Sequence, residues 1–494
     1  MSNLKLLDKK LKSLLAPGNP DNGIGSGTFF DLEKHMARLK KANLIQMDGR
    51  VIQVIGLIIE STGPNVGIGE ICQIKSSRVE KSVLAEVVGF RENRVLMMPI
   101  GDMSKISPGN PVISTGKSFS VKVSESLLGR VLNGFGNPID GLDRPVTGEY
   151  YSVMNKPPNV LTRQRITEPL SLGIRAIDGL LTVGKGQRVG IFAGSGVGKS
   201  TLLGCIARNT QADINVIALI GERGREVREF IEGDLGVDGL KRSVVVAVTS
   251  DEPALLRIKG AYIATTIAEY FREKGHDVNL MLDSITRFCM AKREVGLSIG
   301  EPPTTRGYPP SVFAELPKLL ERAGTAEKGS ITGLYTVLVE GDDMNEPIAD
   351  SVRSILDGHI VLTRDLANLN HYPAIDVLQS ISRLMNSIVP DEHKELSSRI
   401  KNLMALYKKS SDLIEVGAYV EGSNPKLDFA IRYIEKINEF LKQDVSEKET
   451  FDSTFIKLEG IMPADYGYEE KTDLDIIKSA KENILAKGMK INFE

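Results

Sequence analysis

The run Gly190-Ile-Phe-Ala-Gly-Ser-Gly-Val-Gly-Lys-Ser-Thr201 restricts this chain more than any other stretch of it. The apolar segment Gln187–Phe192 reads as a β-strand, and glycines follow at 194, 196 and 198. Lys199, Ser200 and the run Leu202–Ala207 then open a helix. Glycines are needed there because successive backbone N–H groups must turn inward around anionic oxygens, where side chains would block the approach. The helix adds its positive N-terminal end. Lys199 is placed to reach β- and γ-phosphates, and the Ser200 hydroxyl to ligate Mg²⁺. The stretch Gly194, Ser195, Gly196, Val197, Gly198, Lys199, Ser200, Thr201 is therefore the expected nucleotide cradle. Ala193 stands where the strict pattern has glycine, a position that only requires a small residue. The plain alternative is a glycine-rich turn. The strand before it, the helix after it and Lys-Ser-Thr at the helix start argue for phosphate.

A chain of 494 residues exceeds one ordinary core, so two to four domains are expected. Lys plus Arg (62) nearly balances Asp plus Glu (64), tryptophan is absent and aromatics are 5%, which argues against a nucleic-acid partner. Cys72, Cys205 and Cys289 lie far apart and read as buried thiols of a reduced compartment. The histidines lack ligand spacing, so His359 and His371 read as packing or surface residues. The longest apolar stretch, Val54–Ile59, is strand-sized, and no secretory leader is seen. A cytoplasmic protein is expected.

In residues 4–15, Leu4, Leu7, Leu11, Leu14 and Leu15 share one helical face, with Lys5, Lys9, Lys10 and Lys12 mostly on the other. Such a helix docks on a partner or a membrane surface, or packs on its own chain; both readings stay open. A linker over 17–27 and a second amphipathic segment, Phe29–Lys41, complete an N-terminal extension, 1–44. From 45 to 117, short β-branched runs between Gly and Pro turns predict a small barrel or sandwich. Over 118–388, the strands Gln187–Phe192, Ile214–Gly221, Ser243–Val248, Val278–Asp283 and Ile331–Val339 alternate with helices, including Ala254–Lys274. That alternation predicts an α/β core, a parallel sheet with helices on both faces. Residues 389–464 are helical, with Leu396, Ile400, Leu403, Met404 and Tyr407 at core spacing through a helical 391–445. The remainder, 465–494, is an extension with a helix over Leu474–Lys487.

Sites in parallel sheets lie beyond the carboxyl ends of the strands. The glycine loop leaves one such end, Glu222 follows another, and Asp283 closes a third, so all three fall at one edge. An Asp after an apolar strand is where a phosphate-loop enzyme holds Mg²⁺, although many strands end in an Asp beside a helix cap, and Ser284 begins one here. Glu222 is placed to orient the attacking water, with Arg223 sensing the γ-phosphate. The bland reading of Glu222 is an ion pair within the charged run Glu222–Glu229. Its position at a strand end favours catalysis.

Several blocks in one order resemble the flagellar and type III secretion export ATPases, relatives of the rotary ATP synthase subunits. They are Gly129–Asp140, the glycine loop, Gly221–Glu226, Asp283–Phe288 and Pro302–Phe313. Leu338–Asp350 and Ile355–Ile360 are similar to the export branch, and Asn345-Glu346 with Gln379–Arg383 lean toward its flagellar members. The resemblance spans roughly Ile45 to Ile461. It implies a small N-terminal β-barrel, a RecA-like P-loop core and an α-helical C-terminal domain, assembled as a homo-hexamer. It also implies ATP and Mg²⁺ as cofactors, with Lys199 and Ser200 on phosphate and metal, Asp283 supporting Mg²⁺, Glu222 as catalytic carboxylate and Arg223 on phosphate. Tyr372, in His371–Asp376, matches an aromatic that packs on adenine, Tyr419 is expected near it, and Arg383 matches an arginine finger given across the subunit interface. The implied partners are a stator-like regulator at the N-terminus, a central stalk and chaperone-bound substrates, with peripheral association at the cytoplasmic face of the inner membrane.

Two other classes compete. A hexameric nucleic-acid translocase shares such a core, but the charge balance and sparse aromatics oppose it. A non-catalytic nucleotide-binding ring subunit has no need of a water-positioning carboxylate such as Glu222.

Overall fold

A computed structural model of the chain describes residues 48–75, 82–101, 103–104, 106–143, 146–339, 341 and 343–462. The expected segments over 4–15, 17–27, 29–41 and 474–487 lie outside the described residues. Six strands come first: β1 (Asp48–Ile55), β2 (Ile58–Ser61), β3 (Glu70–Ile74), β4 (Val83–Arg91), β5 (Arg94–Pro99) and β6 (Pro111–Ser118). They close into an antiparallel barrel in the order β1-β2-β5-β4-β3-β6. Closure answers the choice between barrel and sandwich and leaves no edge to protect. Val51, Ile59, Cys72, Ile74, Ala85, Val87, Met97 and Val112 fill the interior.

After the barrel, β7 (Ser120–Val123) pairs with β9 (Glu149–Ser152) in a separate ribbon, while β8 (Arg130–Leu132) joins the main sheet. That sheet contains β10 (Arg188–Ala193), β11 (Ile214–Glu222), β12 (Ser243–Thr249), β13 (Asp277–Asp283), β14 (Gly324–Thr325), β15 (Ser330–Leu338), β16 (Gly358–Leu362) and β17 (Ile375–Ser382). Its order is β17-β16-β10-β15-β13-β11-β12-β8, with β14 paired to β15. From β8 to β16 the neighbours in that order are parallel, and β17 runs antiparallel to β16.

The central strands are apolar on both faces because both faces are covered. Along β11, Val216, Ala218 and Ile220 pack into one core with the helices Ala254–Glu273 and Ile285–Ser298. Ile217 and Leu219 pack into the other, with the helix Lys199–Asn209 and the C-terminal helices. The period of two in a strand thus sends alternate residues to two helical layers.

The C-terminal region contains the helices Asp391–Glu415, Pro425–Leu441 and Phe451–Glu459. The helical character expected over 391–445 is carried by two helices with a turn between them. Gly417 and Gly422 take φ values of +70° and +86°, and the Asn424 side chain accepts from the N–H groups of Lys426 and Leu427 to start the second helix. Ile400 and Leu403 are buried, with Leu396, Met404 and Tyr407 half-buried beside them. All three cysteines are buried and free. Among the described residues, no helix is long and apolar enough to cross a membrane.

Candidate active site

The glycine loop leaves β10 at Ala193 and enters the helix Lys199–Asn209. Gly196 and Gly198 have φ of +81° and +89°, a region closed to most L-residues. A Cβ on Gly198 would also lie 3.4 Å from the Tyr372 ring, so the loop and the aromatic are packed together. Across the sheet, β10, β15, β13 and β11 are consecutive parallel neighbours, so the ends of β10, β11 and β13 open on one edge.

At that edge the expected residues meet. Lys199 Nζ lies 2.5 Å from Asp283 Oδ1 and 3.9 Å from Glu222 Oε1. Asp283 is buried, and its Oδ1 also accepts from Thr336 Oγ1 at 2.6 Å, on the intervening strand β15. Glu222 Oε1 is buried without a hydrogen-bond partner among the described residues. Burial pushes the Glu222 carboxyl up to about 7, reinforced by the charge of Asp283 and by a hydrogen bond with Glu226, while Lys199 and Arg287 pull it down. Burial also acts to raise Glu226, but the hydrogen bond with Glu222, the Arg223 backbone N–H and the charges of Arg223 and Lys199 together hold that carboxyl below its usual range. Ser200 is exposed on the first turn of the helix. Its hydroxyl and the Asp283 carboxylate are hard oxygen donors, the kind Mg²⁺ takes beside phosphate oxygens and water.

Beside the loop lies a cavity of about 660 Å³, lined by Gly196, Gly198, Thr201, Tyr372 and Pro373 and closed on its far wall by Lys442–Val445 and Glu447. Its size is that of a small-molecule site. Arg223 is exposed at the start of the helix Gly224–Glu229, with Nη1 3.6 Å from Glu226. Tyr419 is not brought to this cavity. Its hydroxyl donates to Asp428 Oδ1 at 2.7 Å and lies 3.1 Å from the Asn424 carbonyl, which ties it inside the turn between two C-terminal helices. Arg383 follows β17 and is exposed, with Nη2 3.5 Å from the Arg353 carbonyl. Because β17 is antiparallel to β16, Arg383 stands at the opposite edge of the sheet from the glycine loop.

Comparison with known proteins matches most of the chain. The model of the ATP synthase alpha/beta family nucleotide-binding domain matches residues 173–382. That family's beta-barrel domain matches 51–116, and the T3SS EscN ATPase C-terminal domain matches 389–460. The flagellum-specific ATP synthase of Bacillus subtilis is 55% identical over 411 residues, which cover 83% of this chain and 94% of that protein. The chain belongs to the flagellar and type III secretion export ATPases. The type 3 secretion system ATPase of Xanthomonas euvesicatoria is 50% identical over 406 residues, 82% of this chain and 92% of that protein. The assembled ATPase EscN from the enteropathogenic E. coli type III secretion system superposes with a TM-score of 0.80 at 48% identity, covering 84% of this chain and 99% of that one. EscN in complex with its central stalk EscO gives 0.78. The RecA-like P-loop core, the barrel before it and the helical region after it are the fold of an ATP-driven type III export ATPase.

Sequence reasoning did not single out four features of this export ATPase's site. Thr336 looks like an ordinary β-former within a strand, and nothing in its neighbourhood marks it as the residue holding Asp283. Arg287 sits in a quoted block, yet only the fold shows its stem against Gly221, where an added Cβ would meet it at 2.9 Å. Its Nε is buried without a hydrogen-bond partner among the described residues. Glu226 lies on the first turn of the helix after β11, and it is the strand-to-helix turn, not a sequence spacing, that brings it back to Glu222. The wall Lys442–Glu447 has no local signal, since its place is set by contacts made far along the chain.

Proposed function

We propose that this export ATPase hydrolyses Mg·ATP at the edge where Lys199, Glu222 and Asp283 converge, and that it serves the flagellar branch of the family. The observation that carries the reading is that convergence: a cation from the loop within 4 Å of two acids from separate strands. The glycine loop from Gly194 to Thr201 binds the triphosphate through backbone N–H groups and the helix end, with Lys199 on the β- and γ-phosphates. The cavity beside it takes ribose and base, with the adenine against Tyr372. Ser200 and Asp283 would hold Mg²⁺, which supplies charge neutralisation to the phosphates when bound.

Glu222 orients and activates the attacking water. Its unpartnered buried oxygen is an acceptor facing the same small space as Lys199, and a group with a pKa near the working pH is suited to exchanging a proton. Arg223 contacts the γ-phosphate. A loose phosphoryl-transfer transition state asks for positioning and charge neutralisation rather than covalent chemistry from the protein.

Arg383 acts as a finger in trans. Its exposure at the sheet edge remote from its own loop is the geometry in which a head-to-tail ring supplies one cation to every neighbouring site. A homo-hexamer, a central stalk, a stator-like regulator at the N-terminus and chaperone-bound substrates are the partners proposed, with work at the cytoplasmic face of the inner membrane. The naming of EscN's assembled form and of its stalk complex supports the first two. The flagellar assignment leans on relatives named flagellum-specific ATP synthases in Bacillus subtilis and, at 50% identity, Treponema pallidum.

ATP turnover measured against protein concentration tests ring and chemistry together. Specific activity should climb steeply as rings form, and Glu222→Gln should bind Mg·ATP yet show no such climb. A climb in the Glu222→Gln protein equal to the parent's would remove that residue from the mechanism. Complementation of a flagellar export mutant, set beside an injectisome mutant, decides the branch.

A further inference from the structure

The far wall of the nucleotide cavity is an irregular strap between two C-terminal helices, Pro425–Leu441 and Phe451–Glu459. A segment without its own backbone ladder must be fixed by side chains. Most of that work falls to one residue. Arg175, buried at the start of the helix Arg175–Leu180, donates through Nε to the Phe440 carbonyl at 2.8 Å and through Nη1 to Glu449 at 2.9 Å. It also donates through Nη1 to Glu447 and through Nη2 to the Lys442 carbonyl. Its backbone N–H reaches Gln443 Oε1 at 2.8 Å, and Gln443 in turn donates its side-chain amide to the Gly173 carbonyl and its backbone N–H to that of Tyr372.

A planar guanidinium is suited to this role because its fork holds several acceptors in fixed relative positions, which an ammonium cannot do. The acceptors here are two carbonyls at the end of one helix and two carboxylates farther along the strap. The glycine-loop helix grips the strap's other side, with Arg208 Nη2 3.1 Å from the Val445 carbonyl and Asn209 Nδ2 3.2 Å from that of Glu447. Arg175 does not itself line the cavity, whereas its neighbour Ile174 and five strap residues do.

We propose that Arg175 is a positioning residue for nucleotide: it holds the Lys442–Glu447 wall against the ribose and base without touching them. This rests on the reading above that the cavity takes the base side of ATP. The glycine loop lies on the opposite side and makes its own contacts, so phosphate recognition is independent of Arg175. Removing the guanidinium takes its donor from the Phe440 and Lys442 carbonyls, leaves Glu449 to Lys457 and Ser453, and lets the wall move. The effect falls on nucleosides and spares an anion that uses the loop alone.

The test uses the full chain, with ADP and inorganic tripolyphosphate as probes. Arg175→Met should weaken ADP about tenfold while inhibition by tripolyphosphate stays unchanged. The KM for ATP should rise with kcat retained, and Arg175→Lys should fall between parent and Met. If the Met variant does not fold, the Lys variant carries the same expectation at smaller size. Unchanged ADP affinity, or equal loss of ADP and tripolyphosphate, overturns the proposal. Tyr372→Ala separates the two levels of the claim. If it shifts the ratio of ADP to tripolyphosphate affinity and the Arg175 variants do not, only the positioning role fails. If it also leaves the ratio unchanged, the cavity is not the base site and the inference falls with that reading.

Discussion

The ammonium of Lys199 is bonded to the carboxylate of Asp283 at 2.5 Å, which joins the glycine loop at the end of β10 to the end of β13, two strands away in the sheet. A phosphate that recruits Lys199 has to compete with that carboxylate, and a metal that recruits Asp283 relieves the competition. On the proposed roles of Lys199 and Asp283, nucleotide and metal would be coupled through one ion pair. Asp283→Asn should keep metal-free ADP binding, or tighten it slightly, while losing the extra affinity that Mg²⁺ confers. Turnover should drop on the order of 10²-fold, the scale of losing one electrostatic stabiliser. Lys199→Ala should lose binding with and without metal. Titrations with a fluorescent ADP analogue, with and without EDTA, separate these outcomes; identical metal dependence in parent and Asp283→Asn would dismiss the coupling.

Glu222→Gln should bind Mg·ATP normally and slow hydrolysis by about 10²–10⁴, the usual contribution of a positioned acid–base group. The pH dependence follows from the same carboxyl. Its folded value is about 7, and the carboxylate is the working form, so kcat/KM of the free enzyme should fall as pH drops below 7. Glu226 raises that value through its hydrogen bond, so Glu226→Gln should move the acid limb to lower pH. A limb that stays in place, or moves upward, would break the link between the two carboxyls.

Much of this site was legible because its parts are local patterns. The glycine loop is a short string, and Glu222 and Asp283 each close an apolar run, so strand ends could be read and the edge rule applied. The sheet was legible only in part. Strands β8, β14, β16 and β17 carry too little pattern to be named from sequence: β8 is three residues long, and its arginine, Arg130, is buried where it donates two hydrogen bonds to Asp140. In β17 the alternation of Ile375, Val377 and Ser380 with polar neighbours is weak, and its direction cannot be read from sequence. The placement of Tyr419 is hidden for a related reason, since aromatic character does not say that Asp428 will hold the hydroxyl.

Gly204 shows how tightly the loop helix is seated. A Cβ there would lie 2.5 Å from Asp234 Cβ and 2.8 Å from its carbonyl oxygen, and the obstruction is partly backbone. Although alanine is the better helix former, Gly204→Ala should destabilise the protein by about 1–3 kcal/mol, the usual penalty for overpacking. Because Asp234 also bonds the Thr201 hydroxyl, the shift should reach the nucleotide cradle. Thermal unfolding with and without ADP tests this: the melting point should fall and the stabilisation by ADP should shrink. A raised melting point would mean that the helix has room to spare.

Arg383 is separated from its own loop by the length of the sheet. Ser382 is level with Gly358 and His359 with Gly190, which puts Arg383 on the order of 20 Å along the strand direction from the start of the loop. A side chain cannot close that gap, so any catalytic contact by this residue has to be made with another copy. Arg383→Ala should then bind nucleotide with parental affinity and lose turnover, by up to about 10³–10⁵ if it matches fingers in other NTPases. Lys199→Ala lacks the cradle but keeps the finger. Mixed rings of the two variants contain some interfaces with an intact cradle on one side and an intact arginine on the other, and those alone can turn over. Activity should therefore appear on mixing, peak near equal proportions and vanish at either extreme. If mixed rings form, as mass measurement of tagged copies would establish, and no activity returns, then Arg383 does not act across the interface.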